Sequence, residues 1–292
     1  MLSIQQRVDN ATRAVRSAWQ AASGSAAVAE TEAPEVIITT GSGLGALVDQ
    51  VHPVELEMSY DDIPELPTSG VEGHAGRLII GRLGGGDGSK GKKVVVLDGR
   101  IHGYEGHGPL TQVLPFLIAS QLCGTSRLAI FTNAAGAINE SYQVGQLVLI
   151  KDHINFTGSA LVTFNEASDF GGQNMDMTFA YTPEHRRVLK EIAETKGLDL
   201  AEGVYVGVRG AMFETPAEIR AFRTWGADLV GMSTVHEVTA ASRLEIDTVG
   251  ISVVTNPAAG MEAKMLTHQE VLENTAQAAS SLSELIMDLV LL

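Results

Sequence analysis

Cysteine is almost missing from this sequence. Its 292 residues include one, Cys123, so no internal disulfide can form and the chain suits a reducing compartment. Clustered positive charge is missing too. Lys and Arg number 20 against 35 Asp and Glu, for a net charge of −15, and no basic run stands out. Binding to a phosphate backbone needs such clusters, so no nucleic-acid partner is expected. A small anionic substrate stays open, provided that the fold builds a local cationic site. Nor is there a bilayer-spanning apolar run: the longest, around Val113–Cys123, is interrupted by Ser120 and Gln121. No secretion-signal pattern opens the chain, and the expected location is cytoplasmic, with no membrane partner. Metal-ligand spacing is also wanting. His102, Glu105 and His107 match neither H-E-x-x-H nor H-x-x-E-H, so no metal is expected.

What is present is a hydrophobic fraction of 45%, enough for a large core. With no internal repeat and no boundary, one domain over 1–292 is expected. Ile4, Val8, Ala11, Val15 and Trp19 recur at helical spacing and predict an amphipathic N-terminal helix over 3–20, followed by a loose connector from Ala21 to Pro34.

Residues 204–256 carry the densest signal. They read strand, helix, strand, helix, strand. Thr215-Pro216-Ala217-Glu218 combines a capping threonine, a proline at the first helical position and a glutamate three residues on. Thr234-Val235-His236-Glu237 and Thr267-His268-Gln269-Glu270 repeat the capping-box pattern. Glu214, Ser233 and Asn256 fall at the junctions of this unit, where open α/β sheets bind ligands. Each also has a purely local reading, as dipole complement, spare cap or turn residue. Their joint placement favours a site.

Elsewhere, Val36–Thr40 predicts a buried strand running into Gly41-Ser42-Gly43-Leu44-Gly45-Ala46, with a helix start at Leu47 and Val48. Such glycines let backbone N–H groups approach an anion. The stretch also matches G-x-G-x-x-A, the dinucleotide fingerprint, but Pro53, Pro64 and Pro67 break up what should follow. Arg77–Leu83 and Lys93–Leu97 predict a hairpin. The glycine-rich loop 98–108 holds Arg100, His102, Tyr104 and His107; Arg100 and His102 alternate on extended chain and so share a side. Leu110–Cys123 predicts a helix. Arg127–Phe131 predicts a strand ending in the small residues Thr132–Ala137, and Leu147–Ile150 another. Residues 157–180 predict a long loop, and Pro183–Lys196 a helix that ends at Gly197. His268 falls in the first turn of the last helix, where the dipole favours a neutral imidazole.

The ordered stretches GSGLG (41–45), GHAGRL (73–78), DGRIHGYEG (98–106), TNAAGAIN (132–139), KDHINFTG (151–158), FETPAE (213–218), GADLVGMSTV (226–235), VVTN (253–256) and THQEV (267–271) resemble the trimeric, high-molecular-mass class of purine nucleoside phosphorylases. The resemblance implies a single α/β domain, a twisted mixed sheet curling into a distorted barrel surrounded by helices, and a homotrimer. It implies reversible phosphorolysis of 6-oxopurine nucleosides in purine salvage, with phosphate as co-substrate and no cofactor. Carried over residue by residue, it implies a phosphate site of Ser42, His74, Arg100, His102, Ser233 and the Ala134 N–H. The ribose site would be Tyr104, Met232 and His268, and the base site Phe213, Glu214 and Asn256. Asn256, Glu214 and His102 would carry the catalysis. Three stretches depart from the family pattern: Gly210-Ala211-Met212 where a proline follows the glycine, His236 where S-T-V-P-E has proline, and Ser159–Val162 in place of N-P-L. Phe164 is the stand-in for an aromatic that reaches the neighbouring subunit. The alternatives are a methylthioadenosine phosphorylase, which usually has Asp at the position of Asn256, an NAD-dependent oxidoreductase built on the glycine loop, and a non-catalytic nucleoside binder.

Overall fold

The computed structural model describes residues 2–23, 33–67, 75–85, 90–124, 127–161, 174–262 and 267–292. His74 and Phe164, and most of the connector and of the loop after Leu161, lie outside them. The strands are β1 Val36–Thr40, β2 Val54–Ser59, β3 Arg77–Leu83, β4 Lys92–Asp98, β5 Leu128–Ala137, β6 Leu147–Phe156, β7 Leu200–Val208, β8 Leu229–Gly231 and β9 Asp247–Pro257. The α-helices are α1 Ile4–Ser23, α2 Pro109–Gln112, α3 Leu114–Leu122, α4 Pro183–Lys196, α5 Pro216–Thr224, α6 Val235–Arg243 and α7 His268–Leu291.

The described strands form one mixed sheet in the order β2-β3-β4-β1-β5-β8-β7-β6-β9, and β9 pairs again with β5. That second pairing closes β5, β8, β7, β6 and β9 into a ring, the distorted barrel, and leaves β2, β3, β4 and β1 as a flap on its side. Strand β5 is the hinge of this arrangement. Its first half lies between β1 and β9, and its end, still paired with β9, leaves β1 to pair with β8 through Gly136 and Ala137. The run of small residues from Ala134 makes that bend possible, and the register shifts between Ala135 and Gly136.

Both faces of β1, β3 and β4 are buried, which is why these strands read as apolar runs, whereas the edge strand β2 alternates and is only partly buried. Ile37, Leu78, Ile80, Val95 and Leu97 face α1 and α3, where they meet Val8, Val15, Phe116 and Ile118. Ile38, Ile79, Val94, Val96 and Ile130 face the other way, against Leu282, Leu285 and Leu289 of α7. Each such side chain contributes about 1.5–3 kcal/mol by leaving water. No described helix is long and apolar enough to cross a membrane.

The structure alters three expectations about local elements. The helix expected over Leu110–Cys123 is two helices with a break at Val113. Pro115 has no N–H to return to the turn before it, so that turn cannot continue as one helix. After the glycine loop the chain forms a six-residue 3-10 helix, Gly45–Gln50, rather than an α-helix, and so lacks the helix N-terminus on which a dinucleotide pyrophosphate would rest. The capping box at Thr234 does not form. Thr234 sits at φ 70° and ψ −46°, and its side chain makes no cap bond. The Val235 N–H instead bonds back to the Ser233 carbonyl at 2.8 Å. This is a γ-turn, a conformation that a β-branched residue adopts at a cost of order 1–3 kcal/mol.

The box at Thr215 does form. Its hydroxyl accepts from the Glu218 N–H at 3.2 Å, and the Glu218 carboxylate accepts from the Thr215 N–H at 2.7 Å. Thr215→Ala should therefore lower unfolding free energy by about 1 kcal/mol in a denaturant titration. An unchanged midpoint would show that the box contributes nothing.

Candidate active site

One cavity of about 420 Å³ opens where the barrel meets the flap. Its size falls in the range of small-molecule sites. The turn after β1 contributes Ser42, and the segment after β4 contributes Arg100, His102 and Tyr104. Strand β5 brings Ala134, and the junction of β8 with α6 brings Met232 and Ser233. The segment after β7 adds Phe213 and Glu214, the end of β9 adds Asn256, and α7 adds Val271. The sequence-predicted residues that fall among the described side chains thus line a single space. The exceptions are His74, outside the described residues, and His268, which begins α7 but whose side chain is not among those described.

Arg100 is the buried cation that an acidic protein needs to bind an anion; it is 4% exposed. Its Nε donates to Glu237 Oε2 at 3.1 Å and its Nη2 to the Thr132 carbonyl at 3.0 Å. These two bonds hold the planar fork and leave Nη1 without a protein partner among the described residues. His102 is buried beside it. The His102 N–H donates to Glu105 Oε1 at 2.7 Å, and the imidazole stacks on Tyr104 with centroids 4.6 Å apart. Burial pulls the imidazole below its ordinary value, against an opposing bond to Glu105, so at neutral pH His102 offers a dipole and not a charge. Burial likewise raises the Tyr104 phenol to about 12, which keeps it a neutral donor.

Glu214 and Asn256 supply a carboxyl and an amide to the same cavity. Burial lifts the Glu214 carboxyl above the ordinary range; a backbone bond pulls it down and Glu218 adds a smaller upward push. Asn256 is 7% exposed and is held at both ends of its amide. Thr255 Oγ1 donates to its Oδ1 at 2.9 Å, and its Nδ2 donates to the Pro257 carbonyl at 2.8 Å. The second Nδ2 hydrogen remains. Gly136 leaves room for this amide, since a Cβ there would press on Asn256 Nδ2 at 3.2 Å. Gly210 is required on the other wall: it has φ 72°, and a Cβ would lie 2.4 Å from Met232 Sδ. Helix α7 is tied to this corner by Asn274, whose Nδ2 donates to the Thr255 carbonyl at 2.8 Å.

Sequence reasoning missed the residues that hold the cavity wall in place. Glu237 was read as part of a cap, yet it pairs with Arg100 across 137 positions. Glu105 was weighed only as a metal ligand and Thr255 was passed over; each fixes a neighbour by a bond of at most three positions, so local spacing held a signal for them. Two of the departures from the family pattern meet in space. His236 is buried, and its Nε2 lies 3.2 Å from Ser159 Oγ and 3.4 Å from Thr157 Oγ1. A proline at 236 could make neither bond. The third departure, unlike these two, lies at the cavity: Ala211 lines it, after a cis Gly210–Ala211 peptide, while Met212 is 85% exposed. Among the described residues no group of His, Cys, Asp and Glu is placed to hold a metal ion.

The comparisons with known proteins agree with this fold. The family model of the phosphorylase superfamily matches residues 35–291. Purine nucleoside phosphorylase 1 of Bacillus subtilis is 41% identical over 261 residues, covering 89% of this chain and 92% of its own. The crystal structure of Schistosoma mansoni purine nucleoside phosphorylase in complex with adenosine superposes with a TM-score of 0.83 at 31% identity, over 99% of this chain and 98% of that one. Isoform 2 from the same organism, in complex with cytosine and ribose-1-phosphate, gives 0.82 at 27% identity over 99% and 97%. The chain belongs to the phosphorylase superfamily and, within it, to the purine nucleoside phosphorylases.

Proposed function

We propose that this enzyme, a pentosyl transferase like its relatives, catalyses the reversible phosphorolysis of 6-oxopurine nucleosides, inosine and guanosine and their 2′-deoxy forms. The observation that carries the reading is the single cavity shared by a buried Arg100 with its hydroxyl and imidazole neighbours and by the Glu214 and Asn256 pair. The first set suits an oxyanion and the second a purine edge. Phosphate would lie against Arg100, Ser42, His102, Ser233 and the Ala134 N–H, and the resemblance adds His74 to the phosphate site. Ribose would meet Tyr104, Met232 and His268.

In the reaction the bond between the purine and C1′ breaks, and its electron pair goes to the base. Positive charge grows on the sugar and negative charge on the purine, and catalysis acts where those charges develop. Bound phosphate steadies the sugar and then forms the new bond to C1′. The free Nδ2 hydrogen of Asn256 bonds to purine N7 as it gains charge, and Glu214 accepts from N1–H. Phosphate is a co-substrate, and the reading assigns no cofactor. Asn256, where a methylthioadenosine phosphorylase usually has Asp, favours the 6-oxopurine reading over that alternative. The test is phosphate-dependent release of hypoxanthine from inosine with no NAD added.

The same reading places the enzyme in purine salvage in the cytoplasm and makes it a homotrimer. Support for assembly comes from apolar surface that a lone chain leaves wet. Phe156 and Trp225 are 47% and 52% exposed, and they pack on Phe222 at centroid distances of 5.2 and 5.8 Å. Light scattering should return three times the 30.9 kDa chain mass. A fully active monomer would remove the trimer from the account.

A further inference from the structure

Behind Ser233 runs a line of polar side chains that the reaction scheme does not use. Ser252 Oγ on β9 donates to Asn133 Oδ1 on β5 at 2.8 Å. Asn133 Nδ2 donates to Thr234 Oγ1 at 2.9 Å, and Thr234 Oγ1 lies 3.2 Å from Ser233 Oγ. Ser252, Asn133 and Thr234 are 0%, 1% and 2% exposed, so bulk water does not reach these bonds. Asn133 and Ser252 do not line the cavity; only the last member, Ser233, reaches it.

The direction of this line follows from counting protons. A buried serine hydroxyl has one proton to give and must give it to something. Among the described residues Ser252 has one acceptor in reach, the Asn133 oxygen. The amide therefore turns its NH₂ to Thr234, and Thr234 Oγ1 accepts. The threonine's own proton is then directed to Ser233 Oγ. Ser233 receives a bond from behind, and its own proton points away from Thr234. In the reverse orientation Ser233 would spend its proton on Thr234 and turn a lone pair outward.

We propose that Ser252, Asn133 and Thr234 form an orienting relay that fixes the Ser233 hydroxyl as a donor to the bound oxyanion, with Asn133 and Thr234 as positioning residues. The proposal rests on the phosphorolysis reading, in which Ser233 touches phosphate. The γ-turn at Thr234 is an independent sign of the same role. Its left-handed φ of 70° aims the threonine hydroxyl back at Asn133 and sets Ser233 at the wall. A turn this unfavourable for threonine persists because the buried bond from Asn133 holds it.

The test compares phosphate and inosine KM in Thr234→Val, Thr234→Ser and Ser252→Ala, each checked for folding by circular dichroism. Thr234→Val should raise phosphate KM about tenfold or more, the loss of one hydrogen bond to a charged group, with inosine KM within about twofold of wild type. Thr234→Ser keeps the hydroxyl and should behave as wild type. Ser252→Ala lies remote from substrate and should also raise phosphate KM selectively, because the amide is then free to turn; it carries the test if Thr234→Val does not fold. Unchanged phosphate KM in folded Ser252→Ala, or equal rises for both substrates, would overturn the relay. No phosphate-dependent cleavage by the wild type would overturn the reading beneath it and the relay together.

Discussion

Inosine and guanosine are expected to be turned over at least about 10⁴ times more efficiently than adenosine, measured as kcat/KM. A 6-oxopurine has a proton on N1 for the Glu214 carboxylate to accept. Adenosine presents a bare lone pair there, and the half-buried carboxylate would face it unpaired. The Asn256 amide cannot turn to compensate, because Thr255 and Pro257 hold its oxygen and nitrogen. Asn256→Asp should narrow the ratio by about tenfold or more, the worth of one or two hydrogen bonds at the 6-position. An aspartate puts an acceptor oxygen where the Asn256 Nδ2 donates, and a 6-amino group can donate to that oxygen where a 6-oxo group cannot. Acid should also weaken inosine turnover. Because burial raises Glu214, its protonation begins above the ordinary carboxylate range, and the falling limb should be absent in Glu214→Gln. Wild-type use of adenosine within tenfold of inosine would show that Glu214 and Asn256 do not read the base this way.

The second large effect concerns the buried pair. Arg100→Ala should raise phosphate KM by about 100-fold or more, since it removes charge-assisted bonds and leaves the Glu237 carboxylate facing the anion. Stability should fall too, by about 3–5 kcal/mol, because Arg100 and Glu237 are 4% and 8% exposed and a lone buried charge is costly. Adding Glu237→Gln separates the two effects. The double variant should regain most of the stability but only the part of the phosphate affinity that the bare Glu237 carboxylate removes, and not the part that the Arg100 bonds supply. If it regained both in full, Arg100 would be a structural cation and not the anion's partner. The measurements are phosphate KM at saturating inosine and a urea titration of each variant.

Local sequence signals were legible where one element carried all the information. Helix α4 begins at Pro183 and ends at Gly197 in the left-handed conformation, as proline at the start and glycine past the end require. Strand β1 and the Thr215 box are equally local, and both match the reading. The Thr234 box failed because the same T-x-x-E spacing serves a different end here: Glu237 is drawn to Arg100 and Thr234 to Asn133, and tertiary bonds outcompete the cap. The barrel's closure through β5 and β9 brings together residues more than a hundred positions apart. No periodicity encodes that pairing; only the resemblance implied it. The cavity residues were found through motifs. Glu237, Thr132 and Asn133, which hold the cavity residues, fall inside stretches read for other reasons, a cap and a small-residue strand end, so their holding bonds were not legible there.

The measurement that tests the account most directly is product analysis after mixing inosine with the protein, with and without inorganic phosphate and with no NAD. The account predicts hypoxanthine and ribose 1-phosphate in equal amounts, formed only when phosphate is present, and inosine re-formed when the two products are supplied together. Free ribose formed equally well without phosphate, or no cleavage by folded protein, would contradict it.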